Sequence, residues 1–212
     1  MQLSDNTIKV LKNCSTINPS ILIKESDSIR TISPQKNVLA EFVIDQPLDG
    51  KMCIYDINSF LNMLSLFDND HDIKVDDKKA VIKDGSNKGT FFFAHEDTIE
   101  TPPGKNLKLE NSLAKFDLTD NVISKAKKAA STLNAEDFVL SGDGKNAVAK
   151  VTNRHNNTAN HFNQDVGESD QEFEVVIDVS KLTFLPGDYK VEVYEKVVFF
   201  YNDVAKYWIA CK

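Results

Sequence analysis

One order of elements recurs about four times along this chain, at intervals of roughly 50 residues: a strand, a helix, then three short strands. The repeat lies in element order rather than in residue identity. It constrains the fold more than any single motif does. The first helix is predicted over Ser4–Ile17, capped by Ser4 or Asp5, with Val10, Leu11, Cys14 and Ile17 on one face. The second is predicted over Asp56–Phe67, with Asp56 as cap and Ile57, Phe60, Leu61, Leu64 and Phe67 as the apolar stripe. The third is predicted over Thr119–Leu133, capped by Thr119, with Val122, Ala126, Ala129 and Leu133 facing inward. The fourth is one or two turns over Val179–Leu185, stopped by Pro186-Gly187.

Short strands fill the gaps. They are predicted at Ile21–Lys24, Ile29–Ile32, Val38–Ile44 and Lys51–Tyr55, then at His71–Val75, Lys79–Lys83 and Thr90–Ala94. In the second half they are predicted at Phe138–Ser141, Ala147–Thr152, Tyr189–Tyr194, Val197–Tyr201 and Lys206–Ala210, with Asp143-Gly144 as a hairpin signal. Two repeats precede residue 95 and two follow 112. The segment between holds Thr101-Pro102-Pro103-Gly104 and reads as a connector. The expected division is therefore a domain at 1–94, a connector at 95–112 and a domain at 113–212. The polar stretch Asn153–Asp170 reads as a loop or an edge strand.

Charge narrows the function classes. The net charge is −7, which taken alone argues against nucleic-acid binding, but a total says little about where charges sit. Helix one carries Asp5, Lys9 and Lys12, and helix three carries Asp120, Lys125, Lys127 and Lys128, so both are basic within an acidic chain. Helix two offers only Asn58, Ser59, Asn62 and Ser65 on its polar face. Arg30 and Arg154 are the only arginines, so a DNA contact made by this chain suits loose phosphate contact rather than base readout. Cys14, Cys53 and Cys211 are odd in number and widely spaced, as buried thiols are. No apolar run approaches the ~18 residues of a membrane helix, and no membrane association is expected.

The stretches LKNCSTIN (Leu11–Asn18), AEFVID (Ala40–Asp45), CIYDINSFLNMLSLFDND (Cys53–Asp70) and LPGDYKVEVY (Leu185–Tyr194) resemble, in order and spacing, those of the DNA polymerase sliding clamps of T-even-type phages. The resemblance implies an α+β DNA-clamp fold with two similar domains per subunit, built from repeated β-α-β-β-β units and joined head to tail in a homotrimeric ring. It implies a non-enzymatic processivity factor, without cofactor, that encircles duplex DNA non-specifically. Its other partners would be the replicative DNA polymerase and an ATP-driven clamp loader, with a role in phage late transcription. The setting would be the cytoplasm of an infected bacterial host. On this reading Lys9, Lys12, Lys125, Lys127, Lys128 and Lys181 line the hole. Phe91 and Phe93 of one copy meet Ala159 and His161 of the next, through strands near Thr90–Ala94 and Asn157–Asn163. Pro102, Leu107, Tyr207 and Trp208 border a pocket for a partner peptide. The rival reading is a monomeric two-domain β-rich binding module or small enzyme.

Other constellations fail on spacing. Asp68, Asp70, Asp72 and Asp76 hint at a calcium loop, but Ile73 stands where glycine is needed and Lys79 where glutamate is needed. Gly142, Gly144 and Lys145 miss a phosphate loop, since Val139 replaces its first glycine and Asn146 its hydroxyl residue. His155, His161 and Asp165 lack the helical spacing of a metal site.

Overall fold

The computed structural model describes residues 1–68, 71–104 and 107–212. Asp70 of the candidate calcium loop and residues 105–106 of the expected connector lie outside these described residues. The chain divides into two compact units, Met1–Gly104 and Lys105–Lys212, so the division falls inside the 95–112 segment.

The first unit runs α1 (Asp5–Ile17), β1 (Ile21–Ile23), β2 (Ser26–Ile32), β3 (Val38–Leu48), β4 (Met52–Ile54), α2 (Ile57–Leu64), β5 (Asp72–Val75), β6 (Lys79–Asp84) and β7 (Asn87–Phe92). The caps are those the sequence names. Ser4 accepts the Thr7 N–H at 3.0 Å and Asp56 accepts the Ser59 N–H at 3.1 Å. Each satisfies one of the donors that a helix start leaves unpaired. Val10, Leu11 and Cys14 of α1 are fully buried, as are Ile57 and Phe60 of α2, and the two helices pack on each other. Burial drives the Cys14 thiol far above its ordinary range, so it is an inert core group. Antiparallel pairs join β1 to β4 and β2 to β3, and β5-β6-β7 form a three-stranded sheet.

The second unit runs β8 (Ala114–Leu118), α3 (Asp120–Leu133), β9 (Asp137–Asp143), β10 (Asn146–Thr152), β11 (Phe162–Glu168), β12 (Glu172–Asp178), a 3-10 turn (Val179–Lys181), β13 (Tyr189–Val193), β14 (Val197–Tyr201) and β15 (Ala205–Ala210). One sheet has the order β11-β10-β9-β12, and β15-β14-β13-β8 are hydrogen-bonded in that order. The β9–β10 hairpin turns at Gly144, whose φ of 81° suits glycine, while the Asp143 carboxylate accepts the N–H groups of Lys145 and Asn146.

The structure corrects the sequence reading in three places. The expected fourth helix is only the 3-10 turn Val179–Lys181. Leu182 and Phe184 are both buried, a spacing of two that an extended chain satisfies and a helix does not. Phe184 packs its ring 4.7 Å from those of Phe200 and Tyr207. The Tyr207 hydroxyl accepts the Leu185 N–H, and the Tyr189 hydroxyl donates to the Leu185 carbonyl, so side chains take both backbone groups of this residue. Next, the buried stripe of α3 is Ile123, Ala126 and Ala130: of the expected residues Ala126 is buried, while Val122, Ala129 and Leu133 are half-buried. Finally, the stretch Asn153–Asp170, read as a loop or an edge strand, holds both: turns come first, where the Asn156 side chain accepts the Thr158 N–H. The edge strand, Phe162–Glu168, starts later than the expected Asn157–Asn163, and β12 follows where no strand is predicted.

Candidate nucleic-acid and subunit interfaces

Three surfaces carry the expected site residues. On α1, Lys9 and Lys12 are exposed on the side away from Val10, Leu11 and Cys14. On α3, Lys125, Lys127 and Lys128 are exposed on the side away from Ile123, Ala126 and Ala130. Lys181 is half-buried at the end of the 3-10 turn. None of these six ammonium groups forms an ion pair among the described residues. The one acidic residue of α3, Asp120, is occupied by the Gly187 N–H at 3.0 Å. Each helix therefore presents uncompensated positive charge in a chain of net −7. The exposed residues of α2 include Asn58, Ser59, Asn62 and Ser65, which add polarity without charge.

The second surface is made of sheet edges. The outer side of β5 is covered where the Ile73 N–H donates to the Met1 carbonyl, and that of β12 where the Lys212 N–H donates to the Val176 carbonyl. Among the described residues, β7 and β11 have no such cover. Such edges are templates for another strand. Phe91 turns toward the core and meets Phe60 edge-on at 5.1 Å, and Phe93 is half-buried just past β7. Phe92 is 72% exposed, and Phe162 on β11 is 36% exposed. Ala159 sits in the turn region before β11, and His161 is exposed beside its first residue. Phe162 and His161 join Lys125, Lys128, Ala129, Thr132 and Leu133 around an apolar depression of about 370 Å³. Sequence reasoning missed Phe162 and, within Phe91-Phe92-Phe93, which it read as a candidate partner patch, assigned Phe91 and Phe93 rather than Phe92 to the subunit contact. Three consecutive phenylalanines conceal which one the pleat turns outward, and Phe162 lies in a polar run.

The third surface concerns peptide-binding residues, which fall in different units. In the first, Pro102 helps line a cavity of about 430 Å³ with Leu22, Ile23, Lys24 and Arg30. In the second, Leu107 is 45% exposed. Tyr207 is fully buried, its hydroxyl committed to Leu185, so the sequence reading of it as a pocket residue is corrected: it is core. Trp208, its neighbour on β15, points the other way and stacks on Phe199 at 4.8 Å, which stacks on Tyr201 at 4.8 Å. Phe199 and Tyr201 are missed because β14 is apolar at every position, which hides the alternation. Behind this row, burial works to raise the Glu192 carboxyl, yet hydrogen bonds from Tyr194, Lys115 and Tyr201 hold it below its usual range.

Residues 4–94 match the family of DNA polymerase processivity factors. The sliding clamp of Vibrio phage KVP40 is 30% identical over 201 residues, covering 92% of this chain and 90% of that protein. This chain belongs to the phage sliding-clamp family. The sliding clamp of Enterobacteria phage T4 is 25% identical over 202 residues, covering 92% of this chain and 88% of its own. The DNA-clamp fold is borne out by a solved Helicobacter pylori beta clamp bound to a DNA ligase peptide. It superposes with a TM-score of 0.74 at 13% identity, over 100% of this chain and 64% of that one. Among the described residues no cluster of side chains could hold a metal ion, and no helix is long and apolar enough to cross a membrane.

Proposed function

We propose that this sliding-clamp family member works as a head-to-tail homotrimeric ring around duplex DNA and tethers a replicative polymerase. It is not an enzyme. An ATP-driven loader opens the ring, and the same ring serves phage late transcription. The observation that carries the assembly is that β7 in one unit and β11 in the other are sheet edges without a covering strand among the described residues and each carries an exposed phenylalanine, Phe92 and Phe162. Two different edges on one chain make a heterologous contact, which closes into a ring when its rotation permits. An antiparallel alignment of Phe92 with Phe162 of the next copy sets these two exposed aromatic residues directly opposite each other.

The unpaired lysines of α1 and α3 support DNA in the hole. Lysine makes mobile phosphate contacts, which attract the duplex without fixing its sequence or position. Retention then comes from topology and not from affinity, so sliding costs little. The cavity at Pro102 in the first unit, and separately the aromatic row Tyr201–Phe199–Trp208 in the second, are each a surface offered to a polymerase tail. Aromatic side chains with a polar handle suit such peptide contacts.

Molar mass in solution tests the assembly. The ring requires three times the 23.8 kDa of one chain, and a persistent monomer at micromolar concentration excludes it. The DNA contact is tested by Lys12→Glu, Lys125→Glu and Lys128→Glu combined. The expected result is an intact trimer that loses retention on circular DNA and stimulation of the polymerase. Unchanged loading and stimulation would remove the assignment.

A further inference from the structure

The cavity at Pro102 contains a feature that an apolar peptide site does not need. Its lining includes Lys24, exposed, and Arg30, half-buried, against a single acidic residue, Glu25. Arg30 is one of only two arginines in the chain. Its Nη1 donates to the Pro103 carbonyl at 3.2 Å. Its Nε lies 3.4 Å from the carboxylate of Glu41, its cross-strand neighbour, without making a hydrogen bond. Both Nε and Nη2 are buried with no hydrogen-bond partner. Those two nitrogens form one edge of the guanidinium fork, the edge that takes a carboxylate through two parallel N–H···O bonds. Leaving buried donors of a charged group unpaired is unfavourable, and a ligand oxygen that reaches them recovers that cost on binding.

We infer that this cavity recognises a carboxylate of the partner peptide, with the Nε/Nη2 edge of Arg30 as hydrogen-bond donor and Lys24 as a second cation. The inference rests on the reading above that a polymerase tail docks at this cavity. Leu22, Ile23 and Pro102 supply the apolar wall against which the peptide lies. Glu41 orients the guanidinium from the strand side. A peptide's carboxylate has two sources, its C-terminus and an Asp or Glu side chain, and both present the same two oxygens.

The experiment uses the full chain and three synthetic versions of the C-terminal tail of the cognate polymerase. One is the free acid, one the C-terminal amide, and one has every Asp and Glu changed to Asn and Gln. Calorimetric titration gives the affinities. A loss of about tenfold or more for the amide assigns the terminal carboxylate, and the same loss for the side-chain-neutral peptide assigns a side chain. Arg30→Lys, which keeps the charge and loses the fork, should abolish the difference between the free acid and the weaker analogue. A merely structural Arg30 would lower stability and leave that ratio unchanged. Equal affinity for all three peptides overturns the carboxylate assignment while leaving the peptide site standing. No binding by any of them overturns both. The wild-type comparison needs no substitution, so a poorly folding variant cannot obscure it.

Discussion

Replacing Phe92 by alanine should weaken the ring without weakening the subunit. In a single chain the Phe92 side chain is 72% exposed and lies on an edge strand with no outer partner. Its fold stability therefore depends little on that ring. Fully burying a phenylalanine is worth about 1.5–3 kcal/mol, so burying the exposed part against the next copy contributes about 2 kcal/mol per interface. That is roughly 30-fold in the association constant at each contact. A closed ring has three identical contacts, and the total loss is about 6 kcal/mol, distributed over the assembly of three chains. The assay is sedimentation equilibrium of wild-type and Phe92→Ala chains across a concentration series, with urea unfolding alongside. The expected outcome is dissociation at markedly higher concentration and an unchanged unfolding midpoint for the monomer. Phe91→Ala is the contrasting variant. Phe91 packs on Phe60 inside the subunit, so its truncation should lower subunit stability. The reasoning would be refuted by a Phe92→Ala trimer as tight as wild type, or by a monomer destabilised as much as by Phe91→Ala.

Three further outcomes are expected. Tyr207→Phe leaves the Leu185 N–H without its acceptor and should cost about 1–3 kcal/mol in urea unfolding, with peptide affinity intact, whereas Trp208→Ala should weaken the peptide and spare stability. Asp137, 4% exposed, pairs with Lys212 at 2.6 Å and accepts the Arg154 N–H, so Asp137→Asn should cost about 2 kcal/mol at pH 7, less than a fully buried pair because Lys212 is 26% exposed. Burial works to raise the Asp137 carboxyl, but Lys212 and the Arg154 N–H hold it below its usual range. A depressed carboxylate stabilises the fold above its unfolded value of about 4 and stops doing so as pH falls through the folded one, so the gap between wild type and Asp137→Asn should close in acid. Trp208, the only tryptophan, reports the second unit in these unfolding experiments, and a gap that persists at low pH would count against the pairing.

How much was legible beforehand depended on whether the signal was local. Helix starts were, because a cap is a short-range hydrogen bond: Ser4, Asp56 and Thr119 each accept from the residue three positions on. The apolar faces of α1 and α2 and the Asp143-Gly144 hairpin were readable for the same reason. The recurring order of elements, with four fragments that resemble phage clamps, was enough to give the family. Basic helices one and three were also plain from charge alone.

Tertiary structure decided the remainder, wherever several placements of an apolar residue were locally equivalent. The sequence offers α3 two overlapping stripes, and packing chose Ile123, Ala126 and Ala130, leaving Ala129 and Leu133 for the depression beside Phe162. Val179–Leu185 has a short helical pattern, but nucleating a helix is costly, and the hydroxyls of Tyr189 and Tyr207 hold the Leu185 backbone instead. Phe91, Phe92 and Phe93 are chemically identical, and only the β6–β7 register turns Phe92 outward. The same parity hid Phe199 and Tyr201 and sent Tyr207 into the core. A hydrophobic side chain states that it prefers burial. Which surface buries it is a property of the partners that the folded chain brings near.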